Sequence, residues 1–229
     1  AIKACPVFGG KLVSFDDSRI AGRTGSPRAV KVNDSTVAVV ADTWWTAKSA
    51  LDALRVVWDE GPGALQSSAT IAERLKEGLT SDDAFASRQE GDALKAIAGA
   101  AKKIEAVYST PFLAHATMEP MNSTARVTAD RAEAWVPTQN GEASLAALSE
   151  ESGLPLDKCE VYKHPLGGGF GRRGGTQDFV RIATSIAKQF PGTPIKTIWS
   201  REEDMTHDFY RTVSQCRMAA GIDVGGKLV

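Results

Sequence analysis

The chain has 229 residues, and its 27 Lys and Arg against 28 Asp and Glu leave a formal charge of −1, so nothing global favours a polyanion and nucleic acid is set aside as a partner. With 42% hydrophobic and 24% charged residues the composition is that of a globular chain, enough for one large domain or two small ones, and no apolar run approaches a membrane span. Cys5, Cys159 and Cys216 are too scattered for a zinc site or a disulfide framework and read as buried free thiols.

Residues 1 to about 60 read as a unit of their own. KLVSF (11–15), RAVKV (28–32) and TVAVVAD (36–42) alternate as short strands, and TWWTAKSALDALRVVWDE (43–60) reads as a helix running into another strand. Thr43 is the N-cap, and Ala47, Leu51 and Leu54 share a face. Trp44 and Trp45 read as anchors of the helix start more than as a ligand-stacking pair. From Gly61 to about Ala101 the composition shifts to Gly, Ser, Ala and Asp around one helix, IAERLKEGL (71–79), which reads as a connector. A second domain follows from 102. Strand KKIEAVYST precedes a hairpin of STARVTAD and RAEAWVPT, then helix GEASLAALSEESG and strand KCEVYKH. After a glycine loop come helix TQDFVRIATSIAKQF and strands PIKTIWS and TVSQCRMAAGIDV. Hairpins mixed with crossovers predict an α+β fold. The chain stops at Val229 in what reads as a hairpin, so a cut piece of a longer protein is expected.

The loop HPLGGGFGRRGGTQDF (164–179) holds six glycines between a strand and a helix. Glycine lets a ligand approach the backbone, and successive amides before a helix form a nest for anions or oxo groups. Gly169 to Gly174 also satisfies G-x-G-x-x-G, which opens a dinucleotide-binding alternative with Glu202, Glu203 and Asp204 after the next strand. Against it, five residues separate the strand end from that first glycine, and Arg172 and Arg173 crowd the pyrophosphate position. A Walker A loop fails for want of Gly-Lys-Ser/Thr.

In this order and spacing, AHATMEPMNSTA, WVPTQNGEASLAAL and LGGGFGRRGGTQDF resemble the molybdenum-binding subunit of the xanthine dehydrogenase and aldehyde oxidase family. The branch most similar is that of the isoquinoline 1-oxidoreductase beta subunit. PVFGGKLVSFDDS and AVVADTWWTAKSALDALRVVWDEG are similar to the small α/β hammerhead domain of that family. The resemblance implies a hammerhead domain over 1–61, a connector over 62–101 and the N-terminal part of a molybdopterin-binding domain over 102–229. It further implies a molybdenum-dependent oxidoreductase that hydroxylates an N-heteroaromatic compound or an aldehyde with oxygen from water. The cofactor would be molybdopterin as the cytosine dinucleotide, with none bound to this piece alone. The partners would be an iron–sulfur small subunit, a cytochrome c as electron acceptor and a small-molecule substrate, in a bacterial periplasmic or membrane-associated setting. Gln139 of TQN, 31 positions before Phe170, would donate to a molybdenum oxo ligand. Gly168, Gly169 and Gly171 would pass beside the metal with Phe170 walling the substrate pocket.

Where xanthine-oxidising relatives carry Gly-Lys-Glu after GGFG, this chain has Arg172-Arg173-Gly174, which argues against xanthine. Arg172 is expected to reach cofactor phosphates, a substrate carboxylate or an acid of the chain. His115 and Glu119 are i, i+4, but Pro120 and the flanking strands speak against a helical metal pair, and no metal ligand is assigned. His115 and Glu119 are expected to line the cofactor region, His164 and His207 to be structural or superficial, and the acids of SREEDM (200–205) to sit in a solvated turn. The resemblance places the catalytic glutamate outside these residues.

Overall fold

The computed structural model describes residues 1–229, in which the predicted alternation is realised as eleven strands and six helices. The chain begins with β1 (Ile2–Ala4), β2 (Lys11–Asp16), β3 (Arg28–Asn33), β4 (Thr36–Val40), α1 (Trp44–Ala53) and β5 (Arg55–Asp59). It continues through α2 (Ser68–Gly78), α3 (Ala93–Gly99), β6 (Lys102–Thr110), β7 (Asn122–Val127), β8 (Ala132–Val136), α4 (Gly141–Ser152) and β9 (Cys159–Lys163). It closes with α5 (Asp178–Lys188), β10 (Ile195–Ile198), α6 (Arg201–Thr206) and β11 (Ser214–Ile222). The fold is α+β, as expected.

Contacts divide the chain into two compact units along lines the sequence did not suggest. The first joins Ala1–Ala64 to Ala114–Tyr210, and the second joins Leu65–Leu113 to Arg211–Val229. In the first unit, β4 is the centre of an antiparallel sheet ordered β1-β4-β3, and β2 pairs with β5. Thr43 caps α1 by accepting from the Thr46 N–H at 3.1 Å, and Ala47, Ala50 and Leu51 pack with Val37, Val39 and Ile20. Trp44 donates its indole N–H to the Ile198 carbonyl at 2.9 Å, whereas Trp45 is 73% exposed, so only the first tryptophan is an anchor. The first sixty residues do not stand alone, because Ser185 of α5 and Gln189 at its C-cap donate to the carbonyls of Val32 (2.8 Å) and Lys31 (2.9 Å) on β3.

The main sheet of this unit is ordered β10-β7-β8-β9 and is mixed: the β7–β8 hairpin and β10 are antiparallel, and β9 runs parallel to β8. On it lies α5, whose Phe179, Val180, Ile182, Ala183, Ile186 and Ala187 are buried in one continuous core with Met121, Val136 and Leu148. Asn140 caps α4 through the Ala143 N–H at 3.0 Å, and Gly153 ends it with φ 78°, a conformation that glycine adopts without a Cβ clash. The glycine loop leaves edge strand β9, and the next strand, β10, lies at the opposite edge. A dinucleotide fold needs those two strands in a parallel sheet around a switch point, so this topology overturns that alternative.

In the second unit, β6 and β11 pair antiparallel over nine residues, from Ser214 opposite Thr110 to Ile222 opposite Lys102, and α2 and α3 pack on β11. The stretch read as a connector therefore contributes two capped helices, α2 through Ser67 and α3 through Asp92. The thiols depart from expectation too: Cys5 is buried, Cys159 half-buried and Cys216 exposed, and all three are free.

Candidate functional site

The loop from His164 to Thr176 lies between two other segments of the same unit. On one side runs the strip 115–119: Glu119 N–H donates to the Gly167 carbonyl at 3.0 Å, and its carboxylate takes the Gly167 N–H at 2.8 Å. On the other side stands Gln139, whose Oε1 accepts the N–H groups of Gly171 (3.0 Å) and Arg173 (3.2 Å). Both partners are donors, so the amide oxygen must face the loop, and the Gln139 Nε2 is left as an outward donor with no partner in the chain. The N–H groups of Gly168, Gly169 and Phe170 likewise find no acceptor in the chain. Three N–H groups of one short stretch and the Gln139 amide are thus left without acceptors in the chain, and Phe170 of that stretch is 76% exposed. Phe170 has φ 53° and Gly168 and Gly171 have φ 98° and 103°. A left-handed non-glycine residue is strained and calls for a reason at the site.

Behind this face the two arginines point inward. Arg173 is 0% exposed, and its guanidinium donates to the carbonyls of Gly168 (3.1 Å), Pro137 (3.2 Å) and Glu119 (2.6 Å), with the Glu119 carboxylate at 3.2 Å. Burial pulls its pKa down, against the opposing charges of Glu119 and Asp204. Arg172 is bidentate to Asp178, with both bonds at 2.8 Å, and its Nε lies 2.7 Å from Asp208 Oδ1 as an ion pair without hydrogen-bond alignment. Its guanidinium also sits over Phe209 at 5.1 Å. Burial pulls its pKa down, yet the Asp178 hydrogen bonds and the charges of Asp178, Asp208 and Asp204 raise it by more. Of the roles expected for Arg172, only the pairing with the chain's own acids is realised. The guanidinium is turned into the interior, where its charge requires partners.

A buried polar network backs the loop. Ser144 donates to Gln177 Oε1 at 2.7 Å, Gln177 Nε2 donates to the carbonyls of Arg173 (3.2 Å) and Gly174 (3.0 Å), and the Gln139 N–H reaches the Arg173 carbonyl at 3.1 Å. With these bonds the loop is anchored by the chain itself. Two of the acids read as solvated are also interior. Asp204 accepts the Met121 N–H at 3.3 Å and faces Arg201, and its burial raises its pKa; Glu203 accepts the Ala4 N–H at 2.7 Å, and burial raises its pKa as well. His207 bridges to the Cys5 carbonyl at 3.0 Å in a structural role, and His164 is exposed.

Asp208 is the residue that sequence reading missed. Its carboxylate, 3% exposed, receives the His115 backbone N–H (2.5 Å), the His115 Nδ1 (3.0 Å) and the Phe209 N–H (2.7 Å) as well as the Arg172 charge. A lone Asp in THDFYR carries no motif, so no spacing could have pointed to it.

Residues 76–229 match the family described as the molybdopterin cofactor-binding domain. The chain belongs to that family. It is 27% identical over 96% of its length to a membrane-bound aldehyde dehydrogenase of Gluconacetobacter polyoxogenes, whose name specifies pyrroloquinoline quinone, and 35% identical over 47% of its length to the isoquinoline 1-oxidoreductase subunit beta of Brevundimonas diminuta. It spans 29% and 14% of those two proteins. The fold matches quinoline 2-oxidoreductase from Pseudomonas putida 86 with a TM-score of 0.75 at 16% identity, covering 100% of this chain and 34% of that one.

The donor set fits the family's cofactor. Four unpartnered donors suit an oxygen-rich anionic group, and the missing side chains at Gly168 and Gly171 keep the approach to the backbone open. A Cβ at Gly169 would come within 2.5 Å of the Gln139 Cδ and Oε1. Gly169→Ala is therefore expected to push Gln139 off the loop and to destabilise the chain by about 1–3 kcal/mol, readable as a lower denaturation midpoint. An unchanged midpoint would show that Gln139 yields freely.

Proposed function

We propose that this chain is part of the large subunit of a molybdenum hydroxylase that oxidises an N-heteroaromatic compound or an aldehyde with water-derived oxygen. The observation that carries the reading is that three loop N–H groups, and the amide of the Gln139 that contacts the loop, have no acceptor in a chain of the molybdopterin cofactor-binding family. When bound, the cofactor supplies the redox chemistry. Gly168, Gly169 and Phe170 would hold its oxygens through their N–H groups, Gln139 Nε2 would add a fourth donor, and the Phe170 ring would wall the substrate side. The loop amides need no reorganisation, because Gln139, Glu119 and Arg173 already hold them.

The reading extends to the cytosine dinucleotide form of the cofactor, an iron–sulfur small subunit with a cytochrome c acceptor, and a periplasmic or membrane-associated location. It takes 1–61 as the hammerhead domain, 62–101 as the connector and 102–229 as the first part of the cofactor-binding domain. The test is elemental and nucleotide analysis of the purified full-length protein, with a screen of heteroaromatic compounds and aldehydes in water labelled with ¹⁸O. About one molybdenum per polypeptide and labelled product support the proposal, and a full-length protein that takes up no molybdenum overturns it. Residues 1–229 alone are expected to retain no cofactor, because they supply one wall of a site whose affinity requires many convergent contacts.

A further inference from the structure

The end of α6 carries two pairs of side chains four residues apart that serve different neighbours. Asp204 and Asp208 hold Met121, His115 and Arg172, whereas Glu203 and His207 hold the N-terminal strand. The Ala4 N–H donates to Glu203 Oε1 at 2.7 Å. His207 Nε2 lies 3.0 Å from the Cys5 carbonyl, which can only accept, so Nε2 carries a proton. The other ring nitrogen, Nδ1, lies 3.3 Å from Glu203 Oε1 and 3.3 Å from the Glu203 carbonyl. Thr206 Oγ1 is 3.0 Å away, but its hydrogen goes to the Glu202 carbonyl at 2.7 Å. Acceptors alone therefore face Nδ1, and one proton must lie between it and the Glu203 carboxyl, whichever of the two it is counted with. The side chains are 16% and 12% exposed, so losing that proton sets a carboxylate against a nitrogen lone pair with little water between them.

We propose that Glu203 and His207 form a proton-held latch that closes α6 on the first strand of the chain, and that the latch opens as rising pH removes the shared proton. The strand it holds has little else to hold it, since β1 is three residues long and lies at the edge of its sheet. The other charged or titratable groups around the pair are Glu202 on α6, Lys3 on β1, Lys48 on α1, the buried Cys5 thiol and Tyr210, whose ring also meets the Phe8 ring that packs on His207. Burial raises the Glu203 carboxyl by more than the His207 charge, the Ala4 hydrogen bond and the two lysines lower it. The folded chain thus keeps a proton that the unfolded chain releases. Stability held in this way is complete below the unfolded pKa and is lost as pH rises through the folded one.

The test is hydrogen–deuterium exchange of the full-length protein, read in peptides covering Ile2–Cys5 and, as an internal control, the β8 strand Ala132–Val136. Between about pH 6 and about pH 8.5, the range that spans imidazole titration, exchange of Ile2–Cys5 corrected for the intrinsic rate is expected to rise about tenfold, while the control stays unchanged. Glu203→Gln keeps an oxygen for the Ala4 N–H but cannot hold the proton, and His207→Gln lacks the second ring nitrogen. In both, the rise is expected to vanish. Constant protection of Ile2–Cys5 in the wild type overturns the latch and requires no variant. A rise shared equally by the control overturns it as well, because the opening is then global. So does a rise that persists in either variant, because another group then carries the proton.

Discussion

Gln139→Glu in the full-length protein is expected to lower turnover about a hundredfold, roughly the 3 kcal/mol lost with one preorganised donor. The substitution keeps an oxygen where Gly171 and Arg173 donate and replaces the outward N–H₂ with a charged carboxylate oxygen. Gln139→Ala is expected to lose the same donor and, in addition, about 1–2 kcal/mol of stability, because two loop N–H groups lose their acceptor. Saturating kinetics, metal content and denaturant unfolding of the two variants separate the outward donor from the inward anchor. Wild-type turnover by metal-replete Gln139→Glu removes Gln139 from the reaction.

Arg173→Met is expected to be the most damaging substitution in the site, at about 3–5 kcal/mol, the range for breaking one member of a buried charge pair. The side chain satisfies three carbonyls and the Glu119 carboxylate at full burial, and methionine fills the volume without any donor. For a chain of this length that loss corresponds to a melting temperature roughly 10 °C lower. A change below 2 °C would mean that water replaces the guanidinium and that the loop does not depend on it.

Much of the fold was legible because local chemistry and global packing agree. Thr43, Asn140 and Gly153 mark helix ends by the bonds they make, and the alternation of STARVTAD and RAEAWVPT gave the central hairpin. The misses share a cause, which is that partners distant in sequence decide the outcome. Acids in SREEDM look like a solvated turn until Ala4 and Met121 supply N–H groups to Glu203 and Asp204 and the segment becomes α6. The expected pairing of Arg172 with an acid of the chain is realised, but charge alone does not say that Arg172 and Arg173 turn inward or which partners they meet. In the site, Gln139 meets Gly169 and Gly171 of the glycine loop, segments that the family resemblance set side by side. Asp208, which ties His115 and Arg172 to that group, sits in a run with no periodicity or motif.

The bonds from Glu203 to Ala4 and from His207 to Cys5 span about two hundred positions. During synthesis on the ribosome the first strand is finished long before its cover exists. At roughly 5–20 residues per second the nascent amino-terminal sheet waits on the order of 10–40 s for α6 to emerge. Over that interval α1 covers one face of the sheet, and the face that will pack in the core with α5 has only transient neighbours. Yield of soluble protein is therefore expected to rise with chaperone supply and lower temperature, and truncations that end before residue 207 are expected to be less soluble.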